Sequence, residues 1–412
     1  MDKLVKQLFL YDLGDTALGR FVALDKDNDG CVSAIGNLLE WGRDWGINGN
    51  LWHYCVAYAI AMNENAFSLS CERRPLQENS SITKIALKDM ATIKAIFDYD
   101  LSSLAQVDRD TFDLISDFRP FCDNPYRKNC LSALTYLVEK LEKASDNTEF
   151  LRATADYYQN YGVGEWGLHS FFRIDDNKGI LPIDNSDRRQ LSDLIGYELQ
   201  KKQVVDNTLA FLQNRPANNV LLYGDGGTGK SSTIKAIVNE FGKDGLKIIE
   251  VYKHQFKSIS NVISEVKDRY YKFVIYLDDL SFEEFEIEYK YFKAIIEGGL
   301  ETKPDNVIIY ATSNRRHLIK ETWSDKDDMK MEGEVRRSDT LQEKLSLVSR
   351  FGLSIFYGSP NMQEFLEIVK ALAKKQGVNI DEQTLEQKAR QWEIRGGGKS
   401  GRSAQQFINS LL

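Results

Sequence analysis

One eight-residue segment constrains this chain more than any other. Residues 224–231 read Gly-Asp-Gly-Gly-Thr-Gly-Lys-Ser, the complete G-x-x-x-x-G-K-[ST] spacing. The apolar run Val220-Leu221-Leu222-Tyr223 before it reads as a buried strand, and Ser232–Val238 after it reads as a helix. Glycines let the backbone curl so that successive N–H groups converge, and the following helix adds the positive end of its dipole. The segment is therefore a cradle for a polyphosphate. Gly224, Asp225, Gly226, Gly227, Thr228, Gly229, Lys230, Ser231 and Ser232 are the candidate nucleotide-binding positions. Lys230 is expected to reach the β- and γ-phosphates, and the Ser231 hydroxyl to ligate Mg²⁺. The competing reading is a Gly-rich strand-to-helix turn that holds no ligand.

The surrounding pattern supplies the fold class. Five short β-type runs, Asn219–Tyr223, Lys247–Tyr252, Phe273–Leu277, Val307–Thr312 and Leu353–Tyr357, alternate with helical segments. Such alternation predicts an α/β domain, here a five-stranded parallel sheet covered on both faces. A helix is expected from Asp187 to Asn214, with Val205, Leu209 and Leu212 on one face. After Pro360 the strands stop. Met362, Phe365, Leu366, Val369 and Leu372, then Leu385, Ala389 and Trp392, then Ala404, Phe407, Ile408 and Leu411 mark a small helical lid. The first 150 residues carry helical periodicity with few prolines. The expected division is a mainly helical N-terminal domain at 1–185, a nucleotide-binding α/β domain at 186–358 and the lid at 359–412.

Length and charge agree with that division. At 412 residues, two or three domains are expected. Residues 1–150 hold 16 Lys and Arg against 23 Asp and Glu, so nearly all of the net charge of −8 lies there. An acidic total argues against a polybasic nucleic-acid binder, though not against a local basic channel. Five scattered cysteines do not make a disulfide framework, and no signal peptide is visible. The longest apolar stretch, Leu51–Met62, is interrupted by His53 and is too short to span a bilayer. A reduced, cytoplasmic protein without a membrane partner is expected.

Five further positions complete a candidate site. Phe273–Leu277 leads into Asp278 and Asp279, at the strand end that opens on the same side as the phosphate loop. Asp278 is expected to hold Mg²⁺ through its water shell, and Asp279 to polarise the attacking water. Asp279 is one methylene shorter than a Glu, and Glu283 or Glu284 is the alternative. Asn314, ending the next strand, is placed to orient that water from between the two motif strands. Arg350, before the fifth strand, is a candidate contact to a neighbouring subunit's γ-phosphate, and Arg402, at the start of the last helix, a contact in cis. An ordinary salt bridge and helix-start packing are their respective alternatives. The segment Thr312–Arg316 is not a guanine-reading motif, so the base is expected to be adenine.

Together these residues resemble an AAA+ P-loop ATPase: Walker A at Gly224–Ser231, Walker B at Phe273–Asp279, sensor 1 at Asn314, arginine finger at Arg350 and sensor 2 at Arg402. Leu194-Ile195-Gly196-Tyr197 occupies the place where that superfamily contacts adenine, which implies roles for Ile195 and Gly196. Asn218–Lys230, Leu277–Ala294, Ile308–Leu318 and Glu343–Gly352 more closely resemble a bacterial predicted-ATPase family that carries a domain-of-unknown-function label. The resemblance implies Mg²⁺-dependent ATP hydrolysis by a homo-oligomer, such as a hexamer, that remodels or loads a protein or nucleic acid. The Asp-Asp pair departs from the commoner Asp-Glu. It favours an alternative: a slow, helicase-loader-like switch acting with a DNA-bound partner. Small-molecule phosphoryl transfer is a third, weaker class.

Other signals are weaker. Asp25–Gly30 begins like a calcium loop, but its twelfth position is Gly36 where a bidentate Glu is needed, so a turn is expected. Trp41, Trp45 and Trp52 read as core. Lys320–Glu343 reads as a solvated or mobile charged insertion, with Arg336 and Arg337 as candidate interface contacts.

Overall fold

The computed structural model describes residues 6–13, 28–103, 108–121, 124–281, 303–314 and 350–412, with 292 and 296 as isolated positions. Glu283, Glu284 and the charged segment Lys320–Glu343 with Arg336 and Arg337 therefore lie outside the described residues. The chain forms two compact units: residues 1–170 with 182–186, and residues 171–181 with 187–412.

The first unit is helical. Its α-helices are α1 (Asn28–Trp45), α2 (Leu51–Met62), α3 (Ala66–Arg73), α4 (Ser81–Phe97), α5 (Arg109–Ser116), α6 (Lys128–Glu142), α7 (Asn147–Asn160) and α8 (Gly164–Leu168). The apolar stretch that falls short of a membrane span is α2, and it packs against α1, α4, α5, α6 and α8. A helix apolar on every side belongs at the centre of a core. Asn50 starts it by accepting the Trp52 and His53 N–H groups at 3.0 and 3.2 Å. His53 sits at the rim, where Nδ1 lies 2.8 Å from Glu142 and the ring stacks on Phe97. Trp45 and Trp52 are buried, as expected. Helix α1 begins at Asn28 and runs through Gly36, so the described part of the calcium-like segment is helix rather than loop. Among the described residues no helix is long and apolar enough to cross a membrane.

The second unit is built on a seven-stranded sheet: β1 (Phe171–Asp175), β2 (Gly179–Pro182), β3 (Val220–Gly224), β4 (Leu246–Glu250), β5 (Lys272–Leu277), β6 (Val307–Ser313) and β7 (Leu353–Tyr357), in the spatial order β2-β1-β4-β5-β6-β3-β7. The five expected strands are present, and β1, β4, β5, β6, β3 and β7 pair in parallel. Two strands exceed the expectation. β1 pairs with β4 through Phe171↔Ile248, and a turn in which the Asp175 carboxylate accepts the Asn177 and Lys178 N–H groups leads to β2. The core of β5 and β6 is buried without interruption, as a sheet covered on both faces requires.

Helix α9 (Glu198–Leu212) is shorter than the Asp187–Asn214 helix read from periodicity. Gly196 at φ 80° and Tyr197 at φ 57° are left-handed, and a helix cannot run through them. Its buried face is Lys201, Val204, Thr208 and Phe211, with Val205 and Leu212 at the margin. Helix α10 (Lys230–Phe241) follows the phosphate loop, and α11 (Ile259–Val266) leads back to β5. After β7 come α12 (Met362–Gln376), α13 (Glu382–Trp392) and α14 (Gly401–Asn409). The apolar stripes read from sequence make their own core, Phe365, Leu366, Val369, Leu385, Ala389, Ala404, Phe407 and Ile408 among them. The fold is thus a mostly parallel α/β sheet followed by three helices with a core of their own, in a chain whose first unit is helical.

Candidate nucleotide site

Strand register sets the site. Pairing Tyr223 with Ser313, Gly224 with Tyr357 and Leu277 with Ala311 brings the ends of β3, β5, β6 and β7 to one edge. The strand bearing Asn314 lies between the two motif strands, as expected. Gly224 has φ 131°, and an added Cβ would stand 2.2 Å from the Tyr357 carbonyl oxygen, so no other residue fits there. Asp225 N–H donates to that same oxygen at 3.0 Å.

The loop ends in Gly229 at φ 94°, and α10 begins at Lys230 with no side chain capping its N–H groups. Added Cβ atoms on Gly226 and Gly229 would meet nothing within 4 Å, so the loop is open on that side. Thr228 is buried and its hydroxyl closes the loop by donating to the Asp225 carbonyl at 2.9 Å. Lys230 is 5 % exposed, and Nζ donates to the carbonyls of Gly224 and Asp225 at 2.9 and 2.7 Å and to Asn314 Oδ1 at 2.9 Å. Burial holds its ammonium below the ordinary lysine range. The carboxylates of Asp225, Asp279 and Asp278 oppose that shift, and Arg402 reinforces it.

Asp278 and Asp279 have different partners. Asp278 Oδ1 accepts from Ser231 Oγ at 2.8 Å and Thr312 Oγ1 at 2.6 Å. Burial around it pushes its carboxyl up, but the hydroxyls of Thr312 and Ser231 outweigh that and hold it below the usual carboxylate range. Asp279 stands at φ 51°, a left-handed conformation that costs a non-glycine residue about 1 kcal/mol or more. Its N–H is held by Thr312 Oγ1 at 2.9 Å, and its Oδ1 accepts from Asn314 Nδ2 at 2.8 Å. An ammonium only donates and a carboxylate only accepts, so the Asn314 amide can face Lys230 and Asp279 in one orientation alone. Asn314 therefore joins the loop lysine to the second carboxylate.

Arg402 starts the lid's last helix beside the loop. Its N–H donates to the Gly227 carbonyl at 3.2 Å, and its Cβ lies 3.1 Å from where a Gly227 Cβ would stand. Ile195 packs against the lid core, and Tyr197 stacks on Tyr357 with its hydroxyl donating to Gly358 O at 2.7 Å. Arg350 is exposed in the turn before β7, outside the hydrogen-bonded group of Lys230, Asp278, Asp279 and Asn314. Two residues that sequence reasoning passed over take part. Thr312 Oγ1 binds the Asp278 carboxylate and the Asp279 backbone N–H, and Ser359 binds Asp225 Oδ2 through N–H and Oγ, both at 2.7 Å.

This donor set fits a magnesium nucleotide. An uncapped helix N-terminus, an open glycine loop and a buried ammonium suit phosphate oxygens. Ser231 and Asp278 offer hard oxygen ligands to a cation. Among the described residues no group of three or more His, Cys, Asp or Glu forms a metal cage. A Mg²⁺ that keeps its waters and borrows phosphate oxygens needs none.

Among solved structures, the chain is similar to the Thermotoga maritima RuvB Holliday junction branch migration motor at 17% identity and TM-score 0.36, over 53% of this chain and 63% of that one. It therefore spans less than two thirds of the RuvB chain. The FIGL-1 AAA domain in complex with ADP gives 17% identity and TM-score 0.36, over 55% of this chain and 73% of its own. No curated protein matches the chain. The family described as "Protein of unknown function (DUF815)" matches residues 168–412. That span is more than half of the chain, which accordingly belongs to this family.

Proposed function

We propose that the protein binds and hydrolyses ATP with Mg²⁺ and acts as an oligomeric AAA+ machine on a macromolecule. The observation that carries this reading is the Lys230–Asn314–Asp279 chain of hydrogen bonds at the mouth of an open phosphate loop. The loop amides of 226–231 and Lys230 would hold the phosphates, and Ser231 and Asp278 the cation. Mg²⁺ supplies charge neutralisation on the phosphate oxygens. Asp279, held by Asn314, is the group facing the water, and Arg402 brings a second positive charge toward Lys230. Ile195 and Gly196 are assigned to the adenine side. Residues 1–185 are assigned to partner recognition, 186–358 to nucleotide binding and 359–412 to the lid, in a homo-oligomer of cytoplasmic location.

Phosphate release measured against protein concentration tests the reading. Turnover per chain should rise until assembly saturates, because Arg350 is assigned to a neighbour's γ-phosphate. Arg350→Ala should then lower turnover by about 10³-fold. Unchanged turnover at saturating protein would sink the trans contact. Lys230→Ala should weaken ATP binding by at least about 100-fold, since it leaves the phosphates without their buried cation. Equal affinity would refute the loop assignment. One observation favours the slower, loader-like alternative: the short Asp279 side chain is already tied to Asn314. Turnover with and without DNA separates the two, and clear DNA-independent turnover counts against the switch.

A further inference from the structure

Asp225 is a carboxylate inside a loop built for phosphate, and its own negative charge opposes such a ligand. Its side chain does not take part in the loop. It turns to Ser359 and accepts the Ser359 N–H and Oγ, each at 2.7 Å, which hold its carboxyl below the usual range. Ser359 is where the chain leaves β7 for the lid, two residues before Asn361 caps α12. The start of the last helix meets the same loop, where Arg402 N–H donates to Gly227 O at 3.2 Å and a Cβ on Gly227 would lie 2.9 Å from Ser400 Oγ. The first residues of this helical segment and the start of its last helix are thus fastened to loop residues two positions apart.

The fastening runs on into the site. Lys230 Nζ donates to the Asp225 carbonyl at 2.7 Å, and Asn314 shares that ammonium. When Lys230 turns its donors to a phosphate, the Asp225 peptide loses a charged partner and must readjust. The carboxylate on that same residue then carries the readjustment to Ser359. We infer that Asp225 is a positioning residue, whose side chain couples occupancy of the phosphate loop to placement of the lid through Ser359. This inference rests on the nucleotide-site reading above and assigns that site a regulated element.

Hydrogen–deuterium exchange of residues 359–412, with and without a non-hydrolysable ATP analogue and Mg²⁺, tests it alongside direct measurement of analogue binding. In the unaltered protein the analogue should slow exchange in the lid by at least about tenfold. Ser359→Ala should still bind the analogue and, because the Ser359 N–H bond to Asp225 remains, lose part of the lid response, while Asp225→Ala should lose more of it, to a slowing of less than about twofold. Asp225→Asn, which keeps an acceptor, should restore part of the response. The double variant should be no worse than Asp225→Ala alone, because the two residues act through one contact. If the unaltered protein binds no analogue, the nucleotide reading falls and this one with it. If it binds, and the single variants protect the lid as fully as the unaltered chain or their effects simply add, the coupling alone is overturned. Ser359→Ala removes one hydroxyl from an exposed bond and keeps the test open should Asp225→Ala fold poorly.

Discussion

The two units handle carboxylates in opposite ways. In the helical unit Asp89 is fully buried, and among the described residues its oxygens accept backbone N–H groups, from Phe9 at 3.0 Å, Leu10 at 2.7 Å and Tyr11 at 3.3 Å. In the sheet unit Asp278 is exposed at the strand ends and is held by the hydroxyls of Ser231 and Thr312. Backbone partners cannot be exchanged without unfolding the segment that carries them. Hydroxyl partners can rotate away to admit a cation. The first arrangement is a tie, and the second is a site.

Three experiments press on that contrast. The largest effect is expected from Asp89→Ala, which removes the acceptor of three N–H groups, that of Tyr11 in the core, and should destabilise the helical unit by about 2–4 kcal/mol. Chemical denaturation measures this, and nucleotide affinity measured below the transition should not change. An affinity loss to match would erase the distinction between tie and site. Thr312→Val keeps the shape of the strand but removes the oxygen that binds the Asp278 carboxylate and the Asp279 N–H. Turnover should fall by about 10- to 100-fold, as for loss of one or two orienting hydrogen bonds, with little change in melting temperature. A large melting shift with normal turnover would make Thr312 structural.

The smallest effect concerns pH in the helical unit. His169 lies 3.2 Å from Glu165 and 3.6 Å from Asp184, with the Cys130 sulfur 3.7 Å away and Arg127 paired to Asp184. Burial pulls its imidazole down, but Cys130 and Glu165 outweigh burial and raise it from 6.5 to about 9. A raised folded value means the stabilisation is complete below about pH 6.5 and is lost as pH climbs through about 9. The half-exposed carboxylates discount it to about 1–2 kcal/mol. His169→Gln should flatten the stability profile between pH 6.5 and 9. An unchanged slope would place the titration elsewhere.

What could be read from sequence depended on whether its cause was local. The phosphate loop, β5 ending in two aspartates and the lid stripes are runs of neighbouring residues, and each formed where its pattern lay. The β1–β2 pair is hard to read although Asp175-Asp176-Asn177-Lys178-Gly179 carries turn chemistry, because the flanking strands have only five and four residues. Helix α9 was overextended because periodicity does not register the left-handed Gly196 and Tyr197. Thr312 reads in sequence as an ordinary β-former. It acquires its part only when β6 pairs with β5 and sets it beside Asp278. Asp225 and Ser359 are 134 positions apart, and nothing local announces that bond. The acidic balance of the first 150 residues was legible, but its partner was not.

The strap at Gly358, Ser359 and Pro360 has a mechanical consequence. Helix α12, which it carries, has 15 residues and so extends about 22 Å from that joint. A rotation of about 10° at the strap would sweep its far end by about 4 Å, enough to make or break a packed contact. The lid is in this sense a lever whose short arm ends in the phosphate loop.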